Sequence, residues 1–117
     1  SIISKLIHAI NNNLVIDLIN NGSAVRDFIN INDVVTAYKG LLEASVLPTV
    51  VNIATGSGRS ISSILNFIRE NGYEIQAKNI HSNEIQVSIA DISTLINICE
   101  LNNFTSLEDF LLESLKK

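Results

Sequence analysis

Ile2, Ile3, Leu6, Ile7 and Ile10 recur every three or four positions, the repeat of one helix face, and "NNN" at 11–13 closes the pattern. A helix over residues 1–12 is predicted. "LVIDLI" at 14–19 is a short β-branched strand, and "NNG" at 20–22 offers residues that tolerate positive φ, so the chain is expected to reverse into "AVRDFINI" at 24–31 as an antiparallel hairpin. Asn32 or Asp33 then caps a helix whose apolar face is Val34, Val35, Tyr38, Leu41 and Leu42, with Pro48 marking the break after it.

"TVVNIA" at 49–54 reads as a strand by its β-branched content, and "TGSG" at 55–58 as a tight loop. Ser60 caps a helix carrying Ile61, Ile64, Leu65 and Ile68 inward, and Gly72 ends it. Residues 73–90 are polar and irregular, with "EIQAKNI" and "IQVSI" as strands on either side of "HSNE". Asp91 caps a helix through about Leu101, and Ser106 starts a final one with Leu107, Phe110, Leu111 and Leu115. Helices and short strands alternate, so the expected fold is a mixed α/β (α+β) domain of short strands and four to five helices. No repeat, linker or shift of composition divides it, so residues 1–117 are read as one domain.

Length and composition narrow the functions open to such a domain. With 117 residues the chain can build one real core, but it has no room for a nucleotide-binding domain beside a separate substrate domain. Its formal charge is −4 and its eight Lys and Arg residues are scattered, which argues against nucleic acid as a partner. Cys99, the single cysteine, lies in the apolar run "LINICEL" and reads as a small buried hydrophobe, so a reducing cytoplasm is the expected location. No apolar run approaches the roughly 18 to 20 residues that cross a bilayer, and no signal peptide is recognisable. Ser1 opens directly into an amphipathic pattern, as a fragment of a longer chain would.

Several familiar chemistries fail on spacing. "TGSGRSI" lacks the four-residue gap and Lys-Ser/Thr ending of a phosphate loop, and it lacks the three glycines of a dinucleotide fingerprint. Gly56 and Gly58 read instead as a turn ahead of the Ser60 cap. His8, His81 and Cys99 have no partners at metal-ligand spacing, and no serine sits on a nucleophile elbow. Tyr38 and Lys39 are adjacent, so on a helix they point about 100° apart and cannot share one proton transfer.

The pair Arg26-Asp27 is different. Side chains alternate along a strand, placing Val25, Asp27, Ile29 and Ile31 on one side and Arg26, Phe28 and Asn30 on the other. Asp27, among β-branched neighbours, needs hydrogen-bond donors, and loop amides are the expected source. Arg26 then projects without an obvious local acid, in a shape suited to two phosphate oxygens; an exposed or cross-strand-paired arginine is the plainer alternative.

Four motifs in order, "LVIDLINNGSAVRDFININDVVTAY", "VVNIATGSGRSISSIL", "NEIQVSIADISTL" and "TSLEDFLLESL", resemble the carboxyl-terminal, substrate-binding part of the NAD-dependent epimerase/dehydratase family. These are extended short-chain dehydrogenases acting on nucleotide sugars. The resemblance runs from about residue 14 to the end, with Gly22, Arg26, Asp27, Phe28, Asp33, Asn52, Ile53, Thr55, Gly56, Ser60 and Ile61 at the family's motif positions. It implies that Arg26 binds the substrate diphosphate. A second family signature, Arg-x-Gly followed by an acid, falls on "HSNE", with His81 at the arginine position and Glu84 at the acid. A largely neutral histidine implies a weaker or altered contact there, and Ala54 replaces the first glycine of the family turn.

The family's glycine-rich NAD fingerprint and its Tyr-x-x-x-Lys pair do not occur in these residues. The resemblance therefore implies a diphosphate-gripping part of a sugar epimerase, dehydratase or reductase, silent alone. NAD(P) is then expected on an amino-terminal Rossmann domain outside this sequence, and an exposed apolar surface where that domain belongs, which self-association to a homo-oligomer could also cover. The alternatives are a stand-alone, non-catalytic nucleotide-sugar-binding module and a purely structural interaction domain.

Overall fold

The computed structural model describes residues 1–99, 101 and 103–116. Its order is α1 (Ile2–Asn11), β1 (Val15–Ile19), a turn (Asn20–Gly22), β2 (Val25–Arg26), α2 (Ile31–Glu43), β3 (Arg59–Ser60), α3 (Ile61–Glu70), β4 (Gln76–Ile80), β5 (Val87–Ser88), α4 (Ser93–Cys99) and α5 (Leu107–Ser114). This is the expected mixture of helices and short strands.

The helices form where polar caps precede apolar periodicity. The side chain of Ser60 accepts from the Ser63 amide at 3.1 Å and that of Ser106 from the Asp109 amide at 3.2 Å, as predicted. The Ser93 amide, donating to Asp91 at 3.0 Å, starts α4 and holds the Asp91 carboxyl below the usual carboxylate range. Glu100, through which that helix was expected to run on to Leu101, lies outside the described residues. For α2 the cap is Asn30, whose Oδ1 accepts from the Asn32 amide at 2.8 Å, rather than Asn32 or Asp33. Asp33 sits inside the first turn, buried, and binds Thr105 through its amide at 2.7 Å and hydroxyl at 3.0 Å.

Strand pairing departs from the expected hairpin. β1 pairs in parallel with β4, from Val15 opposite Gln76 to Ile19 opposite Ile80. β2 lies in a separate three-stranded sheet, antiparallel to β3 and parallel to β5. The turn between β1 and β2 explains the difference: Asn20, Asn21 and Gly22 all have positive φ, at 47°, 57° and 73°. A two-residue reversal would return the chain onto β1, whereas three left-handed residues carry it to another sheet. The turn is tied to distant chain, with the Asn21 amide donating to Asn79 at 2.7 Å and the Ser82 amide to Asn20 at 3.0 Å. At Gly22 an added Cβ would lie 2.9 Å from the Ser62 amide nitrogen, so the turn also needs glycine sterically.

Two further expectations fail. "TVVNIA" forms no strand; among the described residues no backbone group of Val50 to Ile53 is hydrogen-bonded to another backbone group. In α2, the predicted inward residues Val35, Tyr38 and Leu42 are exposed, at 60%, 58% and 84%. The buried side of α2 is instead Asp33 and Ala37, and Gly40 lets Cys99 of α4 approach to 3.0 Å of where a Cβ would stand.

The main core joins Ile3, Leu6 and Ile10 of α1, Ile64, Leu65 and Ile68 of α3, and Leu111 of α5 with Leu115 just beyond it. β1 contributes Ile16 and Leu18 from its partly buried face. The molecule as a whole is flat, 49 × 33 × 18 Å, with a radius of gyration of 16.3 Å. A compact domain of this length has a radius of about 13 Å. Its accessible surface is 7592 Å², against about 6,300 Å² for a monomer of this mass. No helix among the described residues is long and apolar enough to cross a membrane.

Candidate functional site

Asp27 organises the loop beside the site. Its Oδ1 accepts from the Thr55 amide at 2.9 Å and the Thr55 hydroxyl at 2.5 Å, and its Oδ2 from the Gly56 amide at 2.8 Å. The expectation that loop amides satisfy this carboxylate therefore holds. Strand alternation was not needed for it, since β2 ends at Arg26. The same bonds bear on a cofactor phosphate. Two amides of "TGSG" already point at an internal carboxylate, and the Ile61 amide that opens α3 donates to the Ala24 carbonyl at 3.1 Å. This loop does not fit a dinucleotide pyrophosphate, and no part of the site's chemistry runs through one.

Arg26 is held at its strand's edge by bonds from Nη1 to the carbonyls of Val25 at 2.9 Å and Gln86 at 3.5 Å. Its Nη2 stands 4.0 Å from Oε2 of Glu84, beyond hydrogen-bond length. The sequence shows no obvious local acid for Arg26, and the acid that faces it comes from the distant loop before β5, a contact invisible to local sequence. Arg26 and Glu84 line a cavity of 200 Å³ with Asp17 of β1 and Gly22 of the turn, walled by Ile2, Leu18 and Ile61. Glu84 Oε1 is buried and has no hydrogen-bond partner. A buried carboxylate oxygen without a donor is costly, and a bound hydroxyl would satisfy it.

His81 is exposed and lines an open polar cleft of 370 Å³ with Asn20, Asn79, Asn83, Glu84 and Gln86. Glu84 belongs to both the cavity and the cleft, so the structure brings Arg26, Glu84 and His81 into adjoining spaces on one side of the molecule. Sequence reasoning missed the asparagines of this cleft. "NNG" was read for its φ values alone, and the amide side chains that also line the cleft left no separate signal. A second ion pair, Arg59 Nη2 to Glu108 Oε1 at 2.5 Å, joins β3 to the start of α5. That hydrogen bond from Arg59 holds the Glu108 carboxyl below the usual range against the opposing effect of burial. No group of His, Cys, Asp and Glu among the described residues could hold a metal ion.

With this geometry in place, comparison with known proteins identifies what the chain is similar to. The model of the NAD dependent epimerase/dehydratase family matches residues 1–54, from α1 through β2 and α2 to Ala54. No curated protein sequence matches significantly. Among solved structures, MoeE5 in complex with UDP-glucose and NAD is similar with a TM-score of 0.80 and 25% identity, over 96% of this chain and 39% of its own. UDP-glucuronic acid 4-epimerase from Bacillus cereus, in complex with UDP-glucuronic acid and NAD, gives 0.82 and 23% over 94% of this chain and 37% of its own. TunA, an NAD dependent NDP-hexosamine 5,6-dehydratase, gives 0.80 and 22% over 97% and 38%. The chain thus spans well under half the length of these neighbours. The resemblance read from the sequence holds, by the family model over residues 1–54 and in fold over nearly the whole chain.

Proposed function

We propose that this chain is the nucleotide-sugar-binding part of an NAD-dependent sugar epimerase, dehydratase or reductase. In this reading Arg26 receives the diphosphate, Glu84 accepts from a sugar or ribose hydroxyl through its partnerless Oε1, and His81 donates from the polar cleft. The carrying observation is the Arg26 guanidinium: a short strand fixes it at the cavity, and its nearest acid stands at 4.0 Å. Rigidly held, incompletely paired guanidinium groups suit the two-oxygen geometry of phosphates. The family match, which includes Arg26, supports the same reading. NAD(P) would be held by a cofactor domain outside these residues, and hydride transfer would happen there, against a sugar this part positions.

Titration of the 117-residue chain with UDP-glucose, UDP-glucuronic acid and a dTDP-sugar, followed by amide chemical shifts, tests this directly. Shifts are expected around Arg26 and the 81–86 loop, and Arg26→Ala should weaken binding by about tenfold or more, the size of a lost charge-assisted hydrogen bond. Identical titrations for parent and variant would leave only a structural role. Glucose without the nucleotide is expected to cause no shifts.

A further inference from the structure

The loop between β4 and β5 carries Glu84 to the Arg26 cavity, yet its own backbone does little to hold it there. No backbone group of Ser82 to Ile85 is hydrogen-bonded to another backbone group among the described residues. Glu84 is nevertheless the one residue of 81–86 that is not exposed, and its buried Oε1 has no donor. A carboxylate oxygen left in that state is drawn towards water, so its placement needs a tie from outside the loop. Asn20 supplies that tie. Its Nδ2 donates to the Ser82 carbonyl at 2.5 Å, and its Oδ1 accepts from the Ser82 amide at 3.0 Å. A carboxamide offers the same donor and acceptor as a peptide unit, and here it stands in for one. The β1–β4 ladder ends with Ile19 opposite Ile80. Beyond it the Asn20 backbone turns away at a φ of 47°, and only the side chain goes on to pair with the loop.

We propose that Asn20 is a positioning residue for the candidate site: by pinning Ser82 it holds Glu84 at the Arg26 cavity before a ligand arrives. The inference rests on the nucleotide-sugar reading for what Glu84 would meet. Three observations support it. The donor and the acceptor of the Asn20 side chain are both engaged by Ser82, so the residue acts on the loop rather than on a ligand. The neighbouring ties fall at the ends of the loop, from the Asn21 amide to Asn79 at 2.7 Å and from the Ser23 hydroxyl to Gln86 at 3.0 Å. Ser82, two residues from Glu84, is left to Asn20 among the described residues. The choice of side chain is also narrow, because the position needs tolerance of positive φ together with a donor beside an acceptor; glycine and aspartate meet only the first condition. A carboxylate already in place spares a ligand the cost of ordering the loop.

The test compares Asn20→Gly, which keeps the left-handed turn and removes the tie, with the parent chain and with Glu84→Ala. Amide exchange at Ser82 should quicken about tenfold in Asn20→Gly while α3 stays unchanged. Calorimetry with UDP-glucose should show binding weakened by about fivefold, the size of one net hydrogen bond. The decisive arm is the double variant: if Asn20 acts through Glu84, adding Asn20→Gly to Glu84→Ala should cost less than about twofold more, whereas a merely structural role gives independent, multiplying losses. Multiplying losses would overturn the proposal, as would unchanged exchange at Ser82 or unchanged affinity in Asn20→Gly. Should Asn20→Gly fail to melt cooperatively, Asn20→Asp carries the same comparison, since it keeps the acceptor, loses the Nδ2 donor and sets a charge against the Ser82 carbonyl. A parent chain that binds no nucleotide sugar would sink the preceding reading and this inference with it; a parent that binds, is weakened by Arg26→Ala and is indifferent to Asn20→Gly would sink this inference alone.

Discussion

α3 and α2 are both amphipathic helices with a capped start, yet one is the centre of the molecule and the other its margin. Ile64, Leu65 and Ile68 on α3 are at most 1% exposed and touch residues from α1 and α5. Val35, Tyr38 and Leu42 on α2 stand more than half exposed. The same apolar periodicity therefore has two meanings. On α3 it records a core completed within the chain, and on α2 it leaves an apolar stripe that no described residue covers.

The sharpest way to break that contrast is a matched pair of substitutions. Ile64→Ala should cost about 3–4 kcal/mol, since it opens a cavity where nothing can collapse, while Leu42→Glu should stay within about 0.5 kcal/mol. Urea denaturation of both variants checks this, and a comparable loss for Leu42→Glu would mean that α2 is part of the isolated chain's core. Asp27→Ala comes next: it strips the Thr55 and Gly56 amides of their acceptor and should cost about 2–3 kcal/mol. Its exchange rates should rise at residues 55–56 and stay unchanged in α3.

The smallest effect concerns the Arg59–Glu108 pair, which ties the margin of the core to β3. Arg59 lowers the folded-state pKa of Glu108. The pair's stabilisation is therefore fully present above the ordinary glutamate pKa of about 4.3 and lost as pH falls through the lowered folded value. With both side chains about one-third exposed, the difference between parent and Glu108→Gln should be at most about 1 kcal/mol at pH 7. It should shrink towards zero on acidification, read from denaturation midpoints across pH 7 to 3. A difference that grows on acidification would reverse the sign of this linkage.

The helices were legible because their signals are local: Ser60 and Ser106 sit beside the amides they cap, and apolar spacing repeats within a few turns. Asp27 was legible for a related reason, as a carboxylate in β-branched company must find donors. The pairing of β1 was not legible. "LVIDLI" and "AVRDFINI" are adjacent and hairpin-like, but β1 pairs instead with residues 76–80, a choice made by side chains far along the chain. Asp33 shows the same limit, because its position in the first turn of α2 is local while its hydrogen bonds to Thr105 span 72 residues. "VVNIA" carries a true strand propensity but pairs with no strand among the described residues. In the candidate site the motif positions named Arg26, His81 and Glu84, but the 4.0 Å spacing between Arg26 and Glu84 and the asparagines around His81 appear only in three dimensions.

The small sheet that carries Arg26 sets an order of events. It joins residues 25–26 to 59–60 and to 87–88, each strand two residues long. Such short ladders return little until wide loops have closed, and Gly58 must first let Val25 and Ile89 approach to within 2.6 Å and 2.5 Å of where its side chain would begin. The arginine is therefore placed late in folding, after the helical core has formed. A partly folded chain would already show most of its helix by circular dichroism while Arg26 and Glu84 had yet to be brought to one cavity.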